Sequence, residues 1–121
     1  MSALTWLGVL ALGGVGSVLR FLVDGRISSW AGRSFPFGTL VVNLSGAVLL
    51  GLVTGLALDH NAALLAGTAT VGSYTTFSTW MFESQRLAED RQVTGLAANL
   101  GLSLVAGLAA AALGQLVGGA R

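Results

Sequence analysis

Four long apolar runs, separated by short polar segments, make up nearly the whole chain. A helix needs about 20 apolar residues, at about 1.5 Å each, to cross a hydrocarbon core of about 30 Å. Each run reaches that length, and we place the four spans at residues 3–23, 37–58, 62–82 and 93–117. The pattern predicts an all-α membrane protein with four transmembrane helices in one transmembrane domain, residues 1–121.

The segments between the runs are short and polar. The first contains Arg26 and Arg33 and ends at Pro36, the sole proline, whose place just before an apolar run suits a helix start. Residues 59–61 form so short a turn that we expect spans two and three to be an antiparallel hairpin. The most charged stretch, residues 83–92, leads to the fourth span.

The third run differs from the others because hydroxyl side chains crowd its second half. Between Thr68 and Trp80, eight of thirteen residues are Ser, Thr or Tyr. With Gly67 and Gly72 nearby, this composition predicts a helix that breaks at mid-membrane. Non-helical backbone at that depth has to be buried in protein or line a cavity, because each freed N–H and C=O needs a partner. The other interpretation is a Ser/Thr-rich helix interface without a transport role.

Glycine makes up 18 of the 121 residues. In lipid, small residues let two helix backbones approach closely, and a spacing of four places them on one face. Gly51 with Gly55, and Gly114 with Gly118, have that spacing. We therefore expect tight helix packing at these two pairs.

Composition and charge narrow the classes of function. The chain is 54% hydrophobic and 9% charged, with a mean hydropathy of +0.80, so most of its surface should face lipid. Six scattered arginines and no lysine give no basic patch for nucleic acid. With no cysteine, one histidine, no phosphate-binding loop and no carboxylate in the middle of a span, neither an enzyme nor a pump nor a proton-coupled carrier is indicated. The class that remains is a conduit lined by neutral hydrogen-bond donors, which suits a small anion.

Few polar side chains interrupt the other three spans. Asn43 shares a helical face with Thr39, and Asn99 shares one with Ser103. Arg20 lies one turn from the end of the first span. Asn43 could instead join helices as a hydrogen-bonding residue, and Arg20 could extend its guanidinium to the membrane interface.

Three sequence motifs resemble those of the small fluoride channels of the Fluc, or CrcB, type, and the resemblance covers essentially the whole chain. The motifs are GGVGSVLR at 13–20, FPFGTLVVNLSG at 35–46 and GSYTTFSTW at 72–80. The resemblance implies a fluoride-selective channel that exports cytoplasmic fluoride passively across the cell membrane, the inner membrane of a prokaryote. It also implies an antiparallel dimer with two pores and a structural sodium ion (Na+) at its centre. The partner is a second copy or an oppositely oriented paralogue.

Carried over by position, the resemblance implies a role for each candidate residue. The expected fluoride pore residues are Thr39, Asn43, Phe77, Ser78, Thr79, Trp80 and Ser103. Arg20 is expected at the aqueous vestibule and Glu83 in a polar track beside the pore. The backbone carbonyls of Gly72 and Thr75 are expected to hold the sodium ion, since carbonyl oxygens are hard ligands.

Two residues depart from the family pattern. Trp80 stands where the second pore aromatic is usually phenylalanine; its indole can present a polarised ring edge and adds an N–H donor. Asn99 stands where a tyrosine is common. These departures concern the width and the polar lining of the expected pore.

Two other hypotheses stay open at this point. A small multidrug-type transporter would need a carboxylate within the first span or its equivalent, and none is present there. A non-conducting membrane interaction protein would use the glycine faces and the hydroxyl-rich span for packing alone. The arginines favour cytoplasmic placement of the two longer loops, with four or five on that side against one on the other. A homodimer of dual topology and a pair of different chains remain alternatives.

Overall fold

The structure is a computed structural model that describes residues 1–120. Within that range the regular elements are all helical, which confirms the predicted fold class. They are α1 (Ala3–Ala31), α2 (Phe37–Gly55), α3 (His60–Ala63), a π-helix named π1 (Leu64–Val71), α4 (Gly72–Tyr74), α5 (Ser78–Glu89) and α6 (Val93–Gly119).

Three of these helices, α1, α2 and α6, are long and apolar enough to cross a membrane. The third predicted span is instead built from α3, π1, α4 and α5 in succession. Its helical structure stops after α4, and Thr75 takes an extended backbone conformation with φ −77° and ψ 163°. The predicted break is therefore confirmed, and the four-helix count holds with this segment taken as one interrupted helix.

Hydroxyl side chains in the interrupted helix bond mainly to its own backbone. Thr70 Oγ1 donates to the carbonyl of Leu65, five residues earlier, at 2.7 Å, inside the widened turns of π1. Ser73 Oγ donates to Ala69 at 2.7 Å, and Thr75 Oγ1 donates to Val71 at 3.1 Å. Such bonds satisfy the hydroxyls locally, so a hydroxyl-rich segment can remain among apolar helices.

Helix α1 is longer than its predicted span. It continues through the polar residues after 23 and ends only before Gly32, whose φ of +78° is in the region that favours glycine. The Gly32 N–H donates to the Ser28 carbonyl at 3.0 Å and closes the last turn. The polar residues after position 23 therefore mark the end of the apolar part of α1, not the end of the helix. In contrast, α2 ends at Gly55, before the predicted 58, and Ala57 follows with φ +52°.

Helices α2 and α6 pack through the two glycine pairs found in the sequence. A Cβ added to Gly51 would lie 2.1 Å from the Ala111 carbonyl oxygen, and one added to Gly114 would lie 2.0 Å from that of Val48. Real side chains cannot come this close to backbone, so these positions require glycine for the observed spacing. The predicted tight packing is confirmed.

Most large apolar side chains point away from the helix interfaces. Leu4 is 79% exposed, Phe21 77% and Leu108 75%, as expected for a surface that faces lipid. The buried residues are small or polar for the most part: glycines lie between α2 and α6, and the buried polar side chains Thr39, Thr76, Ser84 and Asn99 lie near the interrupted helix. The polar centre of the molecule is thus the break.

Candidate conduction site at the helix break

Asn43 of α2 binds both backbone groups of Thr76 in the break. Asn43 Nδ2 donates to the Thr76 carbonyl, and the Thr76 N–H donates to Asn43 Oδ1, each at 2.9 Å. A carboxamide carries one acceptor and one donor group in the arrangement of a peptide unit, so it replaces the helical partners that the break removes. Its second N–H remains available for another acceptor. The interpretation that Asn43 joins helices is confirmed, and its place along a fluoride path stays a prediction.

Arg20 of α1 binds the carboxyl end of α4. Its Nη1 donates to the Thr75 carbonyl at 3.1 Å. A cation at this position neutralises the negative end of a helix and satisfies a carbonyl that the helix no longer pairs. On the other side of the break, Thr76 Oγ1 accepts the N–H of Thr79 at 3.1 Å, at the start of α5. Both ends of the break therefore have polar partners.

A cavity of about 230 Å³ lies between α1, α2 and the break. Three predicted site residues, Arg20, Thr39 and Thr79, line it, and so does Thr76. Asp24 also lines it, although this residue lies just beyond the predicted end of the first span at residue 23. Asp24 follows Arg20 by four residues on α1, and this spacing could have identified it.

Glu83 of α5 accepts a hydrogen bond from the Thr39 hydroxyl of α2. The two residues are 44 positions apart in the chain, and both are at least partly buried. Glu83 therefore joins Thr39 beside the 230 Å³ cavity. The structure thus brings Glu83, which was expected in the polar track, next to Thr39, which was expected in the pore, but their role in conduction is still a prediction.

The aromatic pair Phe77 and Trp80 follows Thr76 in the chain, at the start of α5. The two rings meet edge to face, with centroids 5.9 Å apart and planes at 79°. Both line a second cavity, of about 450 Å³, with Asn43, Gly72 and Thr75. Phe77 is 70% exposed on this chain, so the cavity is open on that side. Thr76 lines both cavities, so the two adjoin at this residue, whereas Asn43 lines only the larger of them.

Ser103 of α6 lines a third cavity of about 260 Å³ with Asn43 and Trp80. Ser78 is exposed at the first residue of α5 and lies outside these three cavities. The predicted residues are therefore brought into one neighbourhood, with Ser78 at its margin. Asn99 is separate from the cavities and is 1% exposed.

The expected sodium ligands are the backbone carbonyls of Gly72, the first residue of α4, and of Thr75, which follows its last residue. In a continuous α-helix the Thr76 N–H would donate to the Gly72 carbonyl, but here it donates to Asn43. The Gly72 carbonyl thus loses its helical partner, and both residues line the 450 Å³ cavity. The Thr75 carbonyl has one lone pair left after its bond with Arg20. The two carbonyl oxygens are hard ligands of the kind that suits sodium, and one chain would supply them as part of the ligand set.

The fold and the site together define a polytopic helical membrane protein with polar and aromatic cavities around a broken helix. The family model for the CrcB-like protein, Camphor Resistance (CrcB), matches residues 7–115. The chain belongs to the CrcB family.

Three bacterial relatives show the extent of the similarity. The fluoride-specific ion channel FluC 2 of Mycobacterium tuberculosis is 62% identical over 110 residues, which cover 91% of this chain and 87% of the relative. FluC 1 of Leifsonia xyli is 44% identical over 124 residues, covering 98% and 90%. FluC of Solidesulfovibrio magneticus is 42% identical over 123 residues, covering 92% and 97%. The chain is accordingly a multi-pass membrane protein.

Proposed function

We propose that this protein is a fluoride-selective channel through which cytoplasmic fluoride leaves the cell passively. The observation that carries the proposal is the meeting of two cavities at Thr76, one with an aromatic pair and one with hydroxyls, Arg20 and Asp24. Neutral hydrogen-bond donors and polarised ring edges can replace the water around a small anion without holding it too tightly to leave.

Arg20 has a defined place in this proposal. Its guanidinium lies in the 230 Å³ cavity and is fixed by the Thr75 carbonyl. A fixed positive charge in a cleft raises the local concentration of anions. Arg20 therefore favours the entry of fluoride, the carboxylate of Asp24 in the same cavity opposes it in part, and the neutral side chains at the break allow the ion to continue.

The driving force needs no energy-coupling residues. Hydrogen fluoride enters as a neutral acid and dissociates inside, where the ion is trapped until a path opens. An inside-negative potential then drives the anion out with about 2.3 kcal/mol per 100 mV. The channel carries out no covalent chemistry, so we assign it no enzymatic activity. Membership of the CrcB family disfavours the small multidrug-type transporter.

An antiparallel dimer completes the pore in this proposal. Phe77 is 70% exposed and Gly72 is exposed, although both line the 450 Å³ cavity. A second copy related by a two-fold axis would present the same surface and close the cavity. Two such cavities would give two pores. The second subunit is an identical chain or an oppositely oriented paralogue.

A structural sodium ion is part of the same proposal. One copy offers the Gly72 and Thr75 carbonyls, and the second copy would contribute the same pair across the axis. Gly72→Val tests this: a Cβ at that position meets only the Gly67 carbonyl, at 3.8 Å, within the chain. The variant should fold but lose sodium-dependent dimer stability and fluoride flux. If dimer stability responds to sodium as in the unmodified protein, the ion does not lie there.

Reconstitution tests the function itself. Liposomes loaded with potassium fluoride receive the full-length protein, a potassium ionophore starts the efflux, and a fluoride electrode records it. We expect rapid fluoride release and, in matched liposomes loaded with potassium chloride, almost no chloride release. Equal release of both anions would exclude the proposed selectivity, and no release of fluoride would exclude the function.

A further inference from the structure

Three hydrogen bonds form a closed ring between α5 and α6. Trp80 Nε1 donates to the Asn99 carbonyl at 3.0 Å. Asn99 Nδ2 donates to Ser84 Oγ at 2.8 Å, and Ser84 Oγ donates to the Trp80 carbonyl at 2.8 Å. Because the ring begins and ends at Trp80, each bond restricts the geometry of the other two, and hydrogen bonds in such networks strengthen one another.

Two members of this ring lie in the dry interior between the helices. Asn99 is 1% exposed and Ser84 is 5% exposed. Water cannot reach these positions to replace a lost partner, so removing one bond leaves an unpaired polar group. Within the described residues 1–120, Asn99 Oδ1 already has no hydrogen-bond partner. A leucine would pack there without that penalty, and packing alone therefore does not explain an asparagine.

The ring also determines which part of Trp80 is available to an ion. Its N–H, which the sequence suggested as a donor, is directed to the backbone of α6. The aromatic surface remains: Trp80 lines the 450 Å³ and 260 Å³ cavities and meets Phe77 edge to face. Ring edges carry a partial positive charge, whereas ring faces carry a partial negative one. The orientation of the indole thus decides whether an anion meets attraction or repulsion.

We propose that Asn99 and Ser84 are positioning residues that hold the Trp80 indole so that its ring edge, and not its N–H, faces the conduit. Trp80 and Asn99 then form one unit: a large aromatic residue and the polar residue that fixes its orientation. The proposal rests on the proposed channel function for its flux measurement, and the position of the indole can be measured independently.

A double-mutant cycle separates positioning from packing. Fluoride efflux is compared for the unmodified protein, Ser84→Ala, Trp80→Phe and the combination of both. Ser84→Ala should slow efflux about three-fold or more when Trp80 is present and less than about two-fold in the Trp80→Phe background, since coupled residues do not act additively. An equal loss in both backgrounds, or no loss in the first, would overturn the proposal.

Ser29→Ala is the matched control. The Ser29 hydroxyl also donates to a carbonyl of its own helix, that of Arg26 at 2.7 Å, but at an exposed position outside the ring. This substitution should leave efflux unchanged. Asn99→Leu, which keeps the volume but removes the bond to Ser84, should slow efflux as Ser84→Ala does.

Fluorescence gives a readout that does not depend on transport. Trp6 and Trp30 are 56% and 73% exposed, so replacing both by phenylalanine leaves Trp80 as the only tryptophan at small structural cost. Time-resolved anisotropy should then show a wider and faster indole motion in Ser84→Ala and Asn99→Leu. Unchanged anisotropy would overturn the positioning role. Altered anisotropy in a protein that releases no fluoride would support positioning and exclude only the channel function.

Discussion

The two hydrogen bonds between Asn43 and Thr76 lead to a quantitative prediction about the stability of the fold. Asn43→Ala removes the donor and the acceptor at once, and leaves both backbone groups of Thr76, a residue only 9% exposed, without their partner. If Asn43 only lined a pore, the substitution would change ion flux and leave the stability of the fold unchanged. The structure predicts that both change.

The expected size of the effect follows from the two bonds. A buried polar group left unpaired costs about 1–3 kcal/mol in water-soluble proteins, whereas interhelical hydrogen bonds in a membrane protein average about 0.6 kcal/mol, with a maximum near 1.7. Each of the two bonds is 2.9 Å long, so each should contribute an energy in the upper part of the range for interhelical hydrogen bonds in membrane proteins. We expect Asn43→Ala to lower the free energy of unfolding by about 1–3 kcal/mol.

Reversible unfolding in mixed micelles, with denaturing detergent as the variable, measures this quantity. Asn61→Ala is the control, because Asn61 is an exposed asparagine in α3 and its replacement should change stability by less than about 0.5 kcal/mol. A loss for Asn43→Ala no larger than for the control would refute the role of Asn43 as the partner of the break. It would also show that the break is stable by other means.

The remaining predictions concern helix packing and the aromatic pair. Gly114→Ala should destabilise the protein by about 1–3 kcal/mol, because its Cβ would lie 2.0 Å from the Val48 carbonyl oxygen. Gly101→Ala should not destabilise the protein, because Gly101 is on the same helix but has no atom within 4 Å of an added Cβ. Equal unfolding curves for the two variants would contradict the close packing of α2 against α6 at Gly114. Phe77→Ile should slow fluoride efflux about ten-fold, equivalent to about 1.4 kcal/mol, by removing a ring edge from the path. Phe82 is similarly exposed, at 69%, so Phe82→Ile should leave fluoride efflux unchanged. Equal efflux rates for Phe77→Ile and Phe82→Ile would show that Phe77 does not line the path.

The break in the third span was predictable because its cause is local. Hydroxyl groups and glycines concentrated in one short segment weaken a continuous helix wherever that segment lies. The partners of the break were not predictable in the same way. Asn43 and Thr76 are 33 positions apart, and their bonds depend on how α2 packs against the interrupted helix. That packing follows from close approaches such as Gly46 to Thr75, where a Cβ would meet the threonine methyl at 2.2 Å.

The end of α1 was not predictable from polarity, for a physical reason. Polar residues end the lipid-facing part of a helix, but they do not disrupt its backbone hydrogen bonds. Residues 24–31 contain no proline, so α1 continues until Gly32 provides the left-handed conformation that ends it. Asp24 is brought to the 230 Å³ cavity by this continuation, which explains why treating the segment as a connection missed it.

The hydroxyl-rich segment has a different meaning once its bonds are known. As a composition it suggested many donors for an anion, but Thr70, Ser73 and Thr75 give their hydroxyl protons to carbonyls of their own helix. A proton already bonded to a carbonyl binds an anion only if that bond breaks. The donors left for fluoride in our proposal are therefore few, and they include the second N–H of Asn43. A conduit with few uncommitted donors holds an ion weakly, which is what rapid passive conduction requires.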